Sequence, residues 1–241
     1  MKAMIFAAGL GTRLKPFTDH HPKALAEVND KTLLEHSIRY LKRFGIEDII
    51  VNVHHFADQI EDVIADNSGF GSWVTISDER DFVLETGGGL KKAGWYFEGS
   101  EPFVVMNVDV LTNLDLGKMI EAHKESDSMA TLAVMNRNSS RHLLFDEHKL
   151  LCGWSNSKTG EQRISREVTW MQPFAFSGVQ VLSPSILQMP FQGKFSMIDV
   201  YLHFAKTNVI KAFDHTGNIF IDVGKPETLE QAGYLFSTEE K

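Results

Sequence analysis

Short apolar runs alternate with amphipathic stretches through the first half of the chain. The apolar runs have the length of buried strands and lie at residues 1–7, 48–53, 73–76, 103–106 and 130–135. Apolar side chains recur at helical spacing at 31–44, 56–65 and 116–123, and less clearly at 87–97. Gly45 is a typical stop for the first of these helices. Strands that alternate with helices predict βαβ units, and therefore an α/β fold with a mostly parallel sheet.

The pattern changes in the second half. Residues 142–145 and 150–154 predict a hairpin, and the polar residues 155–169 predict a loop over the sheet. A long strand at 174–182 and a helix at 197–205 follow, and 209–213 with 218–223 predict a second hairpin. A final helix is expected from Pro226 to about residue 235, since proline suits a first helical turn. No linker interrupts the pattern, so we expect one domain over residues 1–241.

Composition narrows the possible functions. The chain has 241 residues, of which 43% are hydrophobic, and this is enough for a real core. A formal net charge of −8 argues against a nucleic-acid partner. The single cysteine, Cys152, fits a reducing compartment, and no apolar stretch is long enough to span a membrane. We therefore expect a cytoplasmic protein with no membrane partner, as a monomer or small homo-oligomer.

The loop after the first strand carries candidate chemistry. It holds Gly9, Gly11 and Arg13, and Lys23 follows ten residues after the arginine. Glycines at a strand end let backbone N–H groups approach a phosphate, because no Cβ blocks them. An arginine in the same loop can fork onto phosphate oxygens. The loop therefore predicts a phosphate-binding segment.

Other glycine loops fit less well. A dinucleotide fingerprint needs a third glycine where Leu14 stands, and Pro16 prevents a helix from starting at once. A P-loop would have to use residues 87–92, which lack its spacing and its hydroxyl. An ordinary turn with a solvated arginine is the remaining alternative that these residues leave open.

Two aspartates stand at the ends of predicted strands. Asp109 lies just past the run 103–106, and Asp222 ends the apolar run 219–221. Ligands gather outside the carboxyl ends of parallel strands, and Mg²⁺ commonly takes one or two carboxylates together with phosphate oxygens. The two positions predict a Mg²⁺ site, although aspartates at strand ends also commonly cap turns.

Residues 6–25 read FAAGLGTRLKPFTDHHPKAL. This stretch resembles the GxGTRxxPxT…PKxL sequence of the nucleotidyltransferases that make NDP-sugars from an NTP and a sugar 1-phosphate. Further segments resemble the same family in the same order, namely the run ETGGG at 85–89, Asp109, the run SGV at 177–179 and the run DVG at 222–224. The chain departs from the family pattern at Val108, where the family has glycine.

The resemblance implies a Rossmann-like α/β fold, with a mostly parallel mixed sheet flanked by helices. It implies a nucleotide-binding half at about 1–135 and a sugar-binding half at about 136–241. The expected catalytic residues are Arg13 and Lys23, and the expected Mg²⁺ ligands are Asp109 and Asp222. The expected nucleotide contacts are Ala8, Gly9, Gly11, Thr12, Glu85, Thr86, Gly87 and Gly88. The expected sugar contacts are Asn107, Ser177 and Gly178, and a strand glycine at a bulge is an equal alternative for the last.

Several points stay open at the level of the sequence. The resemblance is strongest to small uridylyltransferases and favours UTP, but a guanylyltransferase acting on mannose or heptose 1-phosphate and a CTP enzyme making an activated choline are alternatives. A nucleotide-sensing subunit without catalysis is another alternative, and a dehydrogenase is disfavoured by Leu14. Many relatives grip the sugar phosphate with the lysine of a Glu-Lys-Pro segment, which this chain lacks. Arg163 or Arg166 are candidate replacements, or Lys23 serves alone.

Overall fold

The computed structural model describes residues 1–236. Its helices are α1 (Leu33–Arg43), α2 (Ala57–Asp66), α3 (Glu85–Lys92), α4 (Leu116–Glu125), α5 (Met197–Phe204) and α6 (Pro226–Phe236). Its strands are β1 (Lys2–Phe6), β2 (Glu27–Val28), β3 (Lys31–Thr32), β4 (Asp48–Val53), β5 (Trp73–Asp78), β6 (Phe103–Asn107), β7 (Val110–Thr112), β8 (Ala130–Met135), β9 (Arg141–Phe145), β10 (Leu151–Asn156), β11 (Glu161–Ile164), β12 (Gln172–Leu182), β13 (Ile210–Asp214) and β14 (Phe220–Asp222).

Ten strands form a continuous mixed sheet. Its main path runs β11-β10-β9-β12-β6-β1-β4-β5, and β8 joins β12 to β13 off that path. Strands β5, β4, β1 and β6 are parallel, whereas β12 runs antiparallel to β6. The carboxyl ends of β1, β4 and β6 therefore meet at one edge of the sheet, and this edge is where ligands bind in open α/β sheets.

The central strands are buried on both faces because helices cover both sides. Along β1, Ala3 and Ile5 enter one core, while Met4 and Phe6 enter the other. This is the period-2 alternation of a strand. Helices α1, α2 and α4 pack on the first face, and α3 and α5 pack on the second. Such two-sided cover explains why the sequence shows continuous apolar runs rather than alternation.

A two-stranded ribbon lies beside the large sheet and joins distant parts of the chain. Strand β14 pairs antiparallel with β7, and Asp222 lies opposite Val110. The backbone N–H of Val223 donates to the carbonyl of Asp109 at 2.8 Å. The ribbon therefore holds the two predicted metal-binding aspartates on neighbouring backbone segments.

The α/β fold and most predicted elements are confirmed, including the hairpin of β9 and β10. The predicted helix at 31–44 begins later, because the Thr32 side chain caps α1 by accepting from the N–H of Glu35 at 3.1 Å. The loop predicted at 155–169 is wrong in part, since β11 pairs with β10 there. The second hairpin is also wrong, because β13 pairs in parallel with β8 while β14 pairs with β7.

Those two errors have separate causes. Strand β11 is exposed throughout, so it offers no apolar alternation to read. The turn between β13 and β14 resembles a hairpin connection, but each strand finds a partner far away in the sequence. Among the described helices, none combines the length and the apolar character that crossing a bilayer would require.

Candidate active site

A cavity of about 470 Å³ opens at the carboxyl ends of β1 and β6. Five of the predicted substrate contacts line it: Ala8, Gly9, Glu85, Thr86 and Asn107. The opposite wall comes from the second half of the chain, with Phe176 and Gln180 on β12 and residues 196–198 at the start of α5. Both halves of the chain thus contribute to one cavity.

The glycine loop is shaped by contacts to its own far end. Gly11 has a φ of +61°, and a Cβ there would lie 2.9 Å from both the Lys23 Cβ and the Thr18 Cγ2. The carbonyl of Gly11 accepts from the Leu14 N–H at 2.8 Å and from the Thr18 hydroxyl at 3.0 Å. Glycine is therefore required at position 11 both for its conformation and for the close approach of Lys23.

A buried amide outside the sequence motifs fixes the start of this loop. The Asn52 side-chain oxygen accepts from the backbone N–H of Ala7 at 2.8 Å, and its amide donates to Glu79 at 2.8 Å. Asn52 also lines the cavity and is 2% exposed. Its only signal in the sequence is a polar residue inside the apolar run 48–53, which is typical of a buried, satisfied group.

Four charged side chains form what we call the charged centre: Arg13, Lys23, Asp109 and Asp222. The Lys23 ammonium forms an ion pair with the Asp109 carboxylate, and the two side chains are 10% and 21% exposed. Arg13 and Asp222 meet above Gly224, where a Cβ would lie 2.8 Å from Arg13 Nη2 and 3.1 Å from Asp222 Oδ1. The structure therefore brings the predicted catalytic and metal residues together.

The electrostatics of the charged centre favour an additional cation. Burial raises the pKa of Asp222, the neighbouring Asp109 carboxylate raises it further, and Lys23 and Arg13 oppose both effects. Two carboxylates held close together repel each other unless positive charge lies between them. Their oxygen chemistry suits Mg²⁺. Within residues 1–236 no group of three or more His, Cys, Asp or Glu side chains is arranged to hold a metal.

The glycines of α3 have protein neighbours. The N–H groups of Gly87 and Gly88 donate to the carbonyl of Phe195 at 3.0 and 3.2 Å, and a Cβ on Gly87 would lie 2.5 Å from the Phe195 ring. Thr86, by contrast, lines the cavity, and its hydroxyl accepts from the N–H of Met197 at 3.0 Å. The two glycines let α3 pack against the segment that leads into α5, and the cavity wall itself is formed by Glu85 and Thr86.

Of the three residues predicted to contact the sugar, one lines the cavity and two do not. Asn107 lines the cavity. Ser177 is 1% exposed and shares a hydrogen bond of 2.8 Å with His215. Gly178 has a φ of +72°, stands at a bulge of β12, and would place a Cβ 2.8 Å from the Asn107 amide. Ser177 and Gly178 do not line the cavity, and Gly178 leaves room for the Asn107 side chain that does.

The two arginines considered as replacements for the absent lysine are occupied elsewhere. Arg163 forms an ion pair with Asp199 at 2.8 Å. Arg166 donates to the backbone carbonyls of Ala205 and Asn208. Neither arginine lines the cavity. Arg137, which the sequence motifs did not single out, donates at 2.9 Å to the carbonyl of Phe176, a residue of the cavity wall.

Comparison with known proteins adds independent information. A family model described as nucleotidyl transferase matches residues 2–143. An N-acetylmuramate alpha-1-phosphate uridylyltransferase of Neisseria meningitidis serogroup B is 31% identical over 237 residues, which cover 98% of each chain. A protein of the same description from Caulobacter vibrioides is 30% identical over 236 residues, covering 93% of this chain and 92% of the relative. The crystal structure of HddC from Yersinia pseudotuberculosis complexed with GMP-PN is similar with a TM-score of 0.80 at 29% identity, covering 98% of this chain and 99% of that one.

Proposed function

The chain belongs to the nucleotidyl transferase family, and from that premise we propose that it transfers a nucleotidyl group from an NTP to a sugar 1-phosphate, giving an NDP-sugar and pyrophosphate. The observation that carries the proposal is the charged centre, in which Arg13, Lys23 and two aspartates converge next to the cavity. A nucleotide-sensing subunit would have no need to keep all four groups in this arrangement.

The reaction needs positioning and charge neutralisation more than proton transfer. An oxygen of the sugar phosphate attacks the α-phosphorus of the NTP, a new P–O bond forms, and the bond to pyrophosphate breaks. Because the attacking oxygen is already anionic, no general base is required. Mg²⁺, when bound by Asp109 and Asp222, supplies positive charge that offsets the repulsion between the two phosphates.

Each cationic residue has a separate task in this scheme. Backbone N–H groups between Gly9 and Thr12 bind the triphosphate, and Arg13 stabilises the departing pyrophosphate. Lys23 is held next to Asp109 and contacts the α-phosphate and the incoming phosphate. Glu85 and Thr86 contact the base and ribose, and Asn107 contacts the sugar, since these three side chains line the cavity.

We favour UTP as the nucleotide, because two relatives that align over more than nine-tenths of this chain are described as uridylyltransferases. GTP is the second candidate, and it is supported by the similar structure with bound GMP-PN. The same relatives favour N-acetylmuramate 1-phosphate as the sugar substrate and a role in supplying cell-wall precursors. We infer a cytoplasmic location, which suits NTP-dependent synthesis and the free, buried Cys152.

The test is pyrophosphate release by the purified protein with Mg²⁺. Each of the four NTPs is paired with N-acetylmuramate, glucose, mannose and heptose 1-phosphates. We expect one pair to exceed the others strongly, with UTP as its nucleotide. Absence of pyrophosphate release from every pair, with protein that is folded and binds NTP, would reject catalysis and favour the sensing subunit.

A further inference from the structure

Two buried polar atoms without partners lie close to the charged centre. In the described part of the chain, buried side-chain nitrogen and oxygen atoms lack a hydrogen-bond partner at only three places, which are Ser72 Oγ, Arg137 Nε and His215 Nδ1. Buried polar groups are nearly always paired, so an exception calls for an explanation. Two of the three exceptions belong to one cluster, since Arg137 and His215 both lie against Phe220, two residues before Asp222.

The position of Arg137 is well defined. Its guanidinium carbon lies 4.6 Å from the centre of the Phe220 ring, and its Nη2 donates to the Phe176 carbonyl at 2.9 Å. Phe220 and Asp222 alternate along β14 and share one face of that strand. Phe176 lines the cavity. Arg137 therefore lies between the cavity wall and the Asp222 side of the charged centre.

The guanidinium carries charge that no protein carboxylate neutralises directly. Among residues 1–236, Arg137 forms no ion pair within 4.0 Å. Burial lowers its pKa, and the charge of Asp222 opposes that effect. A cation that stacks its face on an aromatic ring keeps its N–H edge available for an anion. A half-buried cation without a counter-ion lowers the stability of the folded protein unless an anionic ligand binds to it.

We propose that Arg137 binds the phosphate of the sugar 1-phosphate. This inference rests on the proposed function and names the group that holds its second substrate. Lys23 pairs with Asp109, and Arg13 lies at Gly224 with Asp222, so Arg137 would add a third cation for the incoming phosphate rather than replace either of them. Arg137 belongs to the second half of the chain and donates to the carbonyl of Phe176, which lines the cavity. An incoming phosphate would accept from the guanidinium N–H groups of a side chain that has no carboxylate partner.

The test compares Arg137→Met with Arg163→Met in the full chain. Methionine keeps an apolar stem over Phe220 and removes the charge. We expect Arg137→Met to raise the KM for the sugar 1-phosphate about 10- to 100-fold, as expected for one or two lost charge-assisted hydrogen bonds. The KM for the NTP should stay within about threefold. Arg163→Met should leave both values near those of the wild type, because Arg163 is paired with Asp199 on the surface.

A second measurement separates this inference from the proposed function. Calorimetric titration of N-acetylmuramate, glucose and mannose 1-phosphates into wild type and variant reports binding without turnover. Loss of binding in Arg137→Met alone supports the inference even if no NTP pair reacts. Three outcomes would overturn the inference. They are an unchanged KM with unchanged binding of the sugar phosphate, equally weakened binding of both substrates, and a larger effect of Arg163→Met than of Arg137→Met. If Arg137→Met does not fold, Arg137→Lys must weaken binding of the sugar 1-phosphate and leave binding of the NTP unchanged. Equal weakening of both substrates' binding by Arg137→Lys counts against the inference.

Discussion

Lys23→Met is the most informative single change in the charged centre. The Lys23 ammonium is the direct ion-pair partner of Asp109, and its charge also holds down the pKa of Asp222. Methionine retains the packing of the aliphatic stem against Gly11 while removing the charge. The change leaves the carboxylates of Asp109 and Asp222 with less positive charge beside them. The metal-free protein should therefore be less stable, and the enzyme's rate of nucleotidyl transfer should fall.

The size of the stability loss follows from the burial of the ion pair. Breaking a fully buried pair by removing one partner costs about 3–5 kcal/mol, and an exposed pair is worth about 0–1 kcal/mol. The Lys23 and Asp109 side chains are 10% and 21% exposed, so the pair is mostly but not fully buried. We therefore expect a loss of about 2–3 kcal/mol, equivalent to a fall in Tm of about 4–12 °C for a chain of this size.

The assay is thermal unfolding in EDTA and again with excess Mg²⁺, together with steady-state kinetics. Added Mg²⁺ should recover much of the lost Tm, because the cation takes over the compensation of the carboxylates. The kcat should fall about 10²- to 10³-fold, the usual effect of removing one preorganised charge contact. The KM for the NTP should change only a few-fold, since the charge is needed most when the two phosphates meet.

The matched control is Lys15→Met in the same loop. Lys15 forms a surface ion pair with Asp19, with 61% and 42% of the side chains exposed, so its loss should change the free energy of unfolding by less than about 1 kcal/mol. Equal Tm values for the two variants in EDTA would refute the electrostatic account of the centre. A preserved kcat, with NTP affinity and kcat/KM lost together, would show that Lys23 only anchors the nucleotide in the ground state.

Three further predictions concern other groups. Arg13→Ala should reduce pyrophosphate release about 10²- to 10³-fold, with a smaller loss of Tm than Lys23→Met because Arg13 is exposed, and near-normal turnover would remove this arginine from the chemistry. Asp222→Asn relieves the repulsion from Asp109, so it should raise the Tm in EDTA while abolishing the Tm response to Mg²⁺; a retained response would place the ion elsewhere. Burial lowers the pKa of His123 to about 4, so stability from the neutral ring is present above about pH 6.5 and declines as the pH falls toward about 4. Chemical unfolding at several pH values should show His123→Gln with a flatter decline than wild type.

The sequence was sufficient for the fold class and for much of the site because both depend on local patterns. The apolar runs of β1 and β6 and the glycine loop are contiguous in the chain. The two aspartates follow strands, and their proximity was expected from the rule for carboxyl ends of strands. Val108 departs from the family pattern, yet it is buried in the core and donates to the Phe6 carbonyl at 3.1 Å. Its side chain is therefore accommodated away from the cavity.

The features that sequence reasoning missed are those that depend on distant partners. Arg137 looks like any polar residue after a strand, and only its place between Phe176 and Phe220 marks it. The glycines at 87 and 88 are predicted to contact a nucleotide, and the structure gives them a role that the sequence did not indicate, close packing against the Phe195 segment. A local sequence pattern does not indicate whether a glycine approaches a ligand or another segment of the chain.

The ribbon of β7 and β14 has a consequence for how the protein is made. Asp222 reaches Asp109 only when β14 has paired with β7, and β14 lies near the end of the chain. The segment matched by the family model ends at residue 143, long before Asp222. A growing polypeptide therefore has its glycine loop, Lys23 and Asp109 in place while the second carboxylate is still unsynthesised. A fragment that stops before residue 220 would possess the glycine loop but only half of the aspartate pair.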